Sequence, residues 1–269
     1  MANILSRYGI KEVADVTFYE IGEDGLPTNP ALYLDTLKVS TIEQTAEEAN
    51  SNGGKGNPPL IIWDYGKEIT VTLEDALFSA KSLAIMFGNG KVADFTSAYI
   101  MKTEQFIATT AGASGFNTTY VGPDGKAYTK LSPKFYDVDG VATAETELVK
   151  GTTYFCSYNL DASGSVIEIS ANSFPGTYYV TGDTYARSET TGKDEFFQYV
   201  IPKAKVQSEN TITLEADGDP SVFNMNLRVL RPRDGVMMKL VKYSLDSGTT
   251  YTAPESTLID NSVLTPVGE

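Results

Sequence analysis

Histidine is absent from this 269-residue chain, and cysteine and tryptophan each occur once. Without an imidazole there is no Ser-His-Asp or Cys-His arrangement, no His-ligated zinc and no acid–base catalysis by histidine. A single thiol, Cys156, excludes an intrachain disulfide framework and any zinc site built on several cysteines. Positive charge is scarce as well: 21 Lys and Arg face 35 Asp and Glu, for a formal net charge of −14. That balance argues against a protein that grips a phosphate backbone, which takes clustered cations. No apolar run approaches the roughly 20 residues that a membrane-spanning helix needs. The first residues lack the charged-then-apolar pattern of a secretory signal. The expectation is a soluble protein made in a reducing cytoplasm, with only carboxylate, Lys or Tyr chemistry left to an enzyme.

What the chain does contain is β-forming text. With 41% apolar residues it can build a sizeable core, and all-β domains often reach this length as one unit. A strand is expected over 37–42, followed by a polar, glycine-rich excursion over 43–59 and a return through 60–66. Ile69, Val71 and Leu73 then alternate with Thr70 and Thr72, the signature of a half-buried strand. A helix is expected over 74–87, with Thr72 and Asp75 as a capping box, Leu77, Ala80, Ala84 and Phe87 on its inner face, and Gly88 as a left-handed stop.

An earlier strand is expected over 13–21, ending in a turn at 22–27. Short strands follow at 98–101 and 105–108, and turns recur at 122–125, 137–140 and 161–164 around the aromatic stretches 135–136 and 152–158. Turns this frequent mark short antiparallel strands, so 116–165 reads as an insertion or elaboration on a single β domain spanning 1–243. Further strands are expected at 166–169, 176–182, 196–202, 211–216 and 222–230. Residues 187–195 form a charged hairpin tip and 244–269 an extended C-terminal tail rich in Ser, Thr, Pro and Asp. The fold class expected is mainly β, an antiparallel sandwich or barrel-like domain with one short helix.

Several motifs read as turns rather than sites. Asp137-Val138-Asp139-Gly140 resembles half a calcium loop, but the 12-residue spacing is not completed and no helices flank it; Asp217-Gly218-Asp219 reads the same way. Gly53-Gly54-Lys55-Gly56 has the wrong spacing for a phosphate loop, and Pro58 and Pro59 stand where a helix should begin. Asn117-Thr118-Thr119 fits a glycosylation acceptor, which has no meaning without a secretory route. Two features carry a functional alternative. Trp63 and Tyr65 are either core aromatics at a strand end or anchors at a subunit contact, where such rings concentrate binding energy. Residues 43–57 are either a solvated loop, unusually long for a compact domain, or an arm that orders on assembly.

The run from Gly53 through Phe78, with its Lys55-Gly56-Asn57 and Trp63-Asp64-Tyr65-Gly66 phrases, together with Ala216–Leu227, resembles the tail tube (major tail) proteins of tailed bacteriophages. The resemblance covers about a third of the chain and holds no catalytic fingerprint. It implies a virion structural protein that forms stacked hexameric rings, the inner strands joining into a barrel that conducts the genome. The long loop would pack on the adjacent ring, which makes Glu47, Glu48, Asn50, Gly53, Gly54, Lys55, Asn57, Trp63 and Tyr65 the expected contact residues. Expected partners are further copies of the chain, other tail proteins (sheath if the tail contracts, tail tip, tape measure), and DNA that passes without specific binding. No cofactor, metal or membrane is implied, and assembly would take place in the host cytoplasm. The alternatives are a capsid decoration or tail terminator protein, or a carboxylate enzyme such as a glycosidase, for which no Asp/Glu pair stands out.

Overall fold

The computed structural model describes residues 7–88, 90–111, 115–210, 212 and 222–243. In chain order these carry β1 (Tyr8–Ile10), β2 (Asp15–Ile21), β3 (Pro27–Leu34), β4 (Leu37–Asn52), β5 (Pro59–Asp75) and helix α1 (Ala80–Phe87). Next come β6 (Ala93–Ile107), β7 (Thr119–Val121), β8 (Ala127–Thr129), β9 (Leu131–Tyr136), β10 (Ala142–Thr143) and β11 (Thr153–Val166). The last strands are β12 (Thr177–Ser188), β13 (Asp194–Val206), β14 (Phe223–Val229) and β15 (Lys239–Tyr243). The fold is mainly β and antiparallel with one short α-helix, as expected, and its sheets are open: no barrel closes among the described residues.

Two compact units result, one made of the chain up to Val92 together with everything from Ile167, the other of Ala93–Val166. The first holds a nine-stranded sheet in the order β3-β2-β12-β13-β14-β5-β4, with β1 extending the β2 side of β12 and β15 lying along β13. Its core is the one face onto which alternating residues converge: Val16 and Phe18 from β2, Val71 and Leu73 from β5, Val180 from β12, Ile201 and Val206 from β13, Leu227 from β14. Ile85 and Met86 of α1 join the same cluster. Each such side chain, fully buried, contributes about 1.5–3 kcal/mol.

The helix begins six residues later than expected, at Ala80 rather than 74. Glu74 and Asp75 stay in β5, where cross-strand partners Val39 and Asn224 flank Glu74. Thr72 does not cap; its hydroxyl donates to Asn226 Oδ1 at 3.1 Å. The Asp75 carboxylate instead accepts from the Thr36 hydroxyl and from the Leu77 amide, which turns the chain out of the sheet. The capping box is made by Ser79 and Ser82, each hydroxyl accepting the other residue's amide at 3.0 and 2.9 Å. Gly88 is extended; the left-handed residue is Gly90 (φ 75°), whose amide donates to Ala84 O at 2.9 Å. The buried face carries Ala84, Ile85 and Met86, whereas Leu77 is exposed.

The second unit has a four-stranded sheet, β10-β9-β11-β6, and the β7–β8 hairpin. It begins at Ala93, ahead of residue 116, because β6 is one continuous strand paired with β11 along its length, where two short strands were expected. Its core stacks Phe116 edge-on against Phe106 and Phe135, at 5.4 and 5.3 Å between ring centres. Lys130 is buried there, its ammonium 4.7 Å from the Phe116 ring centre and 4.8 Å from that of Tyr158, and paired with Glu104. Tyr158 Oη donates to the other Glu104 oxygen at 3.2 Å. An ammonium leaves water at a large cost unless a carboxylate and ring faces replace its hydration, and all three are present.

The strand expected at 166–169 is not formed: Val166 ends β11 and the next residues are irregular. The strand expected at 211–216, the turn at 217–220 and the tail over 244–269 lie outside the described residues, apart from the irregular Ile212.

Candidate functional site

Residues 43–57, expected as a loop, are for the most part strand. β4 and β5 form a single long hairpin whose pairing runs from Leu37↔Asp75 to Asn52↔Pro59. Polar residues such as Glu47, Glu48 and Asn50 are poor strand formers, but both faces of this part of the hairpin are in water, so nothing penalises them there. Register and backbone hydrogen bonds carry the strand instead.

The base and the outer half of the hairpin differ. At the base, Ile69, Val71 and Leu73 are buried while Thr70 and Thr72 point the other way. The register then shifts between Thr45↔Glu68 and Glu47↔Tyr65, with one extra residue in β5 at Gly66, which takes a left-handed conformation (φ 63°). A bulge of this kind bends and twists the ribbon and exchanges its sides. Beyond it, Ile61, Trp63 and Tyr65 continue the side of Thr70 and Thr72, opposite Ser51, Ala49 and Glu47 respectively. The other side carries Ile62 opposite Asn50 and Asp64 opposite Glu48.

Every residue of the outer half of β5 is exposed. Leu60, Ile61, Ile62, Trp63 and Tyr65 lie between 52% and 65% exposed, five large apolar side chains within six positions. The core reading of Trp63 is thereby excluded for the subunit. Glu48 and Asp64 face each other across the strands, a like-charge pair that weakens the free ribbon. The tip closes through Gly53 N to Pro58 O (3.1 Å) and Asn57 N to Gly54 O (3.2 Å), with Gly54, Gly56 and Asn57 all at positive φ. Lys55 projects from it.

All nine expected contact residues thus sit on the outer half of one ribbon. Sequence reasoning missed Leu60, Ile61 and Ile62 as companions of Trp63. Their signal was present: three consecutive apolar residues without alternation beside polar β4 place oil on both faces of a two-stranded element.

A second feature lies at the base. Where β4, β5 and β14 pair side by side, one face is the core and the other is polar, with Thr41, Glu43, Glu68, Thr70, Thr72, Asn226 and Arg228. Arg228 Nε meets Glu68 Oε1 at 2.8 Å. Among the described residues, no group of three or more His, Cys, Asp or Glu is placed to hold a metal. The Asp137 carboxylate accepts the amides of Asp139 and Val141 at 3.0 and 2.8 Å, the geometry of the turn its sequence predicts. Asp217-Gly218-Asp219 lies outside the described residues. No helix of the described residues is long and apolar enough to cross a membrane.

Comparison with known proteins adds a family to the exposed ribbon. The model of the YomU/Tube protein family matches residues 8–242. A tail tube protein of Bacillus phage SPR is 23% identical over 260 residues, covering 92% of this chain and 94% of that protein. The match runs through the exposed ribbon, both compact units and the strands that close the core, and on it the chain belongs to the YomU/Tube protein family, the structural tail tube proteins of bacteriophage virions.

Proposed function

We propose that this protein forms hexameric rings that stack into the tube through which the phage genome passes. The observation that carries this reading is the β4–β5 ribbon, exposed on both faces and holding Leu60, Ile61, Ile62, Trp63 and Tyr65 in water. A two-stranded ribbon is marginally stable by itself, and an apolar patch of this kind marks a contact surface. The ribbon packs on a copy in the adjacent ring, with Trp63 and Tyr65 as anchors, Glu47, Glu48, Asn50 and Lys55 as polar rim, and the turn of Gly53, Gly54 and Asn57 setting its reach.

Two sheet features support the ring. Among the described residues β4 is hydrogen-bonded to β5 on one side only, and an edge this long is a template for pairing with another chain. The core face of β4, β5 and β14 is already covered, so the polar face is the one free to line a channel. A lining of Thr, Asn and Glu, with Arg228 paired to Glu68, in a protein of net charge −14 lets DNA slide without the counterion-releasing adhesion that unpaired Lys and Arg create. The second unit, to which residues 116–165 belong, elaborates the tube domain, and the ring stack meets the tail tip, the tape measure and, in a contractile tail, the sheath. Assembly takes place in the host cytoplasm.

The test is electron microscopy of the purified protein at several concentrations and salt levels, beside a variant in which residues 47–65 are replaced by a short turn. The parent is expected to give rings and hollow tubes, alone or on added tail tips. The variant is expected to give a folded subunit that does not stack. Long tubes from the shortened chain would refute the role of the ribbon.

A further inference from the structure

Across four strands of the first unit, cross-strand neighbours form one row on the polar face: Glu43 on β4, Thr70 on β5, Arg228 on β14 and Lys205 on β13. This row holds two cations on the face that, under the function proposed above, lines the DNA path. Both are held by the protein itself. Arg228 is paired with Glu68 at 2.8 Å, and the Lys205 ammonium donates to the Pro175 carbonyl. The Arg228 and Glu68 side chains are 55% and 37% exposed, and a pair so open to water adds little stability. Its consequence lies in the charge it presents. A guanidinium is a bidentate phosphate ligand when free; beside a carboxylate it offers a duplex no net charge.

We propose that Glu68 is a positioning residue for DNA passage: by holding Arg228 in an ion pair it keeps an otherwise adhesive ring of guanidinium groups from gripping the sliding duplex. The inference rests on the polar face of β4, β5 and β14 being the channel lining. Without Glu68 the same face would present a free arginine once per subunit, multiplied around every ring and along the stack. The carboxylate of Glu43, in the same row, adds repulsion but makes no bond to Arg228 in the structure.

The test assembles tubes from the parent, from Glu68→Gln and from the double variant Glu68→Gln/Arg228→Gln, each in the presence of a labelled linear duplex. Nuclease then removes outside DNA, and the protected label is measured over a salt series. Parent tubes are expected to protect little. The Glu68→Gln tubes should protect roughly tenfold more at low salt, with a steep loss as salt rises because each freed cation adds a phosphate contact. The double variant should return to the parental value. Tubes of normal appearance in which Glu68→Gln protects no more than the parent would overturn the inference and leave the tube reading intact. Protection that persists in the double variant would also overturn it, since the attraction would not come from Arg228. If the parent forms no tubes even on tail tips, the function proposed above fails and this inference fails with it.

Discussion

The indole of Trp63 stands 53% exposed opposite Ala49, on the outer half of the β4–β5 ribbon. Burial, not residue type, decides what an aromatic contributes, and here the free subunit gains little from the ring. Trp63→Ala is therefore expected to change subunit stability by no more than about 0.5 kcal/mol, the usual range for surface sites. It should raise the concentration needed for assembly by about tenfold or more, because buried Trp anchors dominate contacts between chains. Matched denaturant curves and an assembly titration by light scattering separate the two effects. A loss of several kcal/mol in the free subunit would show that the ring is core after all. Lys130 shows the converse: a cation in the core, retained because Glu104 and two ring faces replace its water.

At the scale of elements, packing between neighbouring strands sets what each can tolerate. Gly182 on β12 lies directly opposite Tyr199 on β13, and a Cβ at position 182 would come within 2.1 Å of the tyrosine ring. That ring is buried in the core of the nine-stranded sheet, so it cannot swing away into solvent. Gly182→Ala is expected to destabilise by about 1–3 kcal/mol, the typical cost of overpacking. The sign is opposite to the gain that removing a strand glycine ordinarily brings. The check is a lower urea midpoint at unchanged slope, with Gly182→Ala/Tyr199→Leu recovering part of the loss. The same logic explains α1: Glu74 and Asp75 remain in β5 because their cross-strand partners outweigh the helical pattern around them.

The whole molecule carries a pH dependence that its acidic composition does not suggest. Burial pushes the Tyr199 phenol up to about 12, with the Ser40 hydroxyl opposing. Burial, then the charge of Glu104, pushes Tyr158 up to about 12, and burial raises the Cys156 thiol to about 11. In each case the folded state holds its proton longer than the unfolded chain, so the contribution is complete below the unfolded values and is lost as pH rises through the folded ones. Stability should thus be flat through neutrality and fall between about pH 9 and 12. Each two-unit separation corresponds to about 2–3 kcal/mol. Urea midpoints from pH 8 to 11.5 test this, and Tyr199→Phe should flatten the decline; an unchanged midpoint at pH 11.5 would refute it.

Composition and alternation together determined the class of this molecule. Missing histidine and a lone cysteine removed most catalytic and metal chemistry, and strict alternation in 69–73 and 223–229 placed core strands where they are observed. The phrases around Trp63 and Asn224 pointed to the tail tube proteins before any coordinates did. Only the tertiary structure decided that residues 43–57 are mostly strand, that the helix starts at Ala80 behind a Ser79 cap, and that β6 is a single strand. A polar segment open to water on both faces has the composition of a loop, and only its distant hydrogen-bond partners tell the two apart. It likewise took the bulge at Gly66 to set which side Trp63 occupies, and the pairing of β5 with β14, more than 150 residues on in the chain, to bring Glu68 to Arg228. Alternation says that a strand has two faces; which one is covered depends on what packs there.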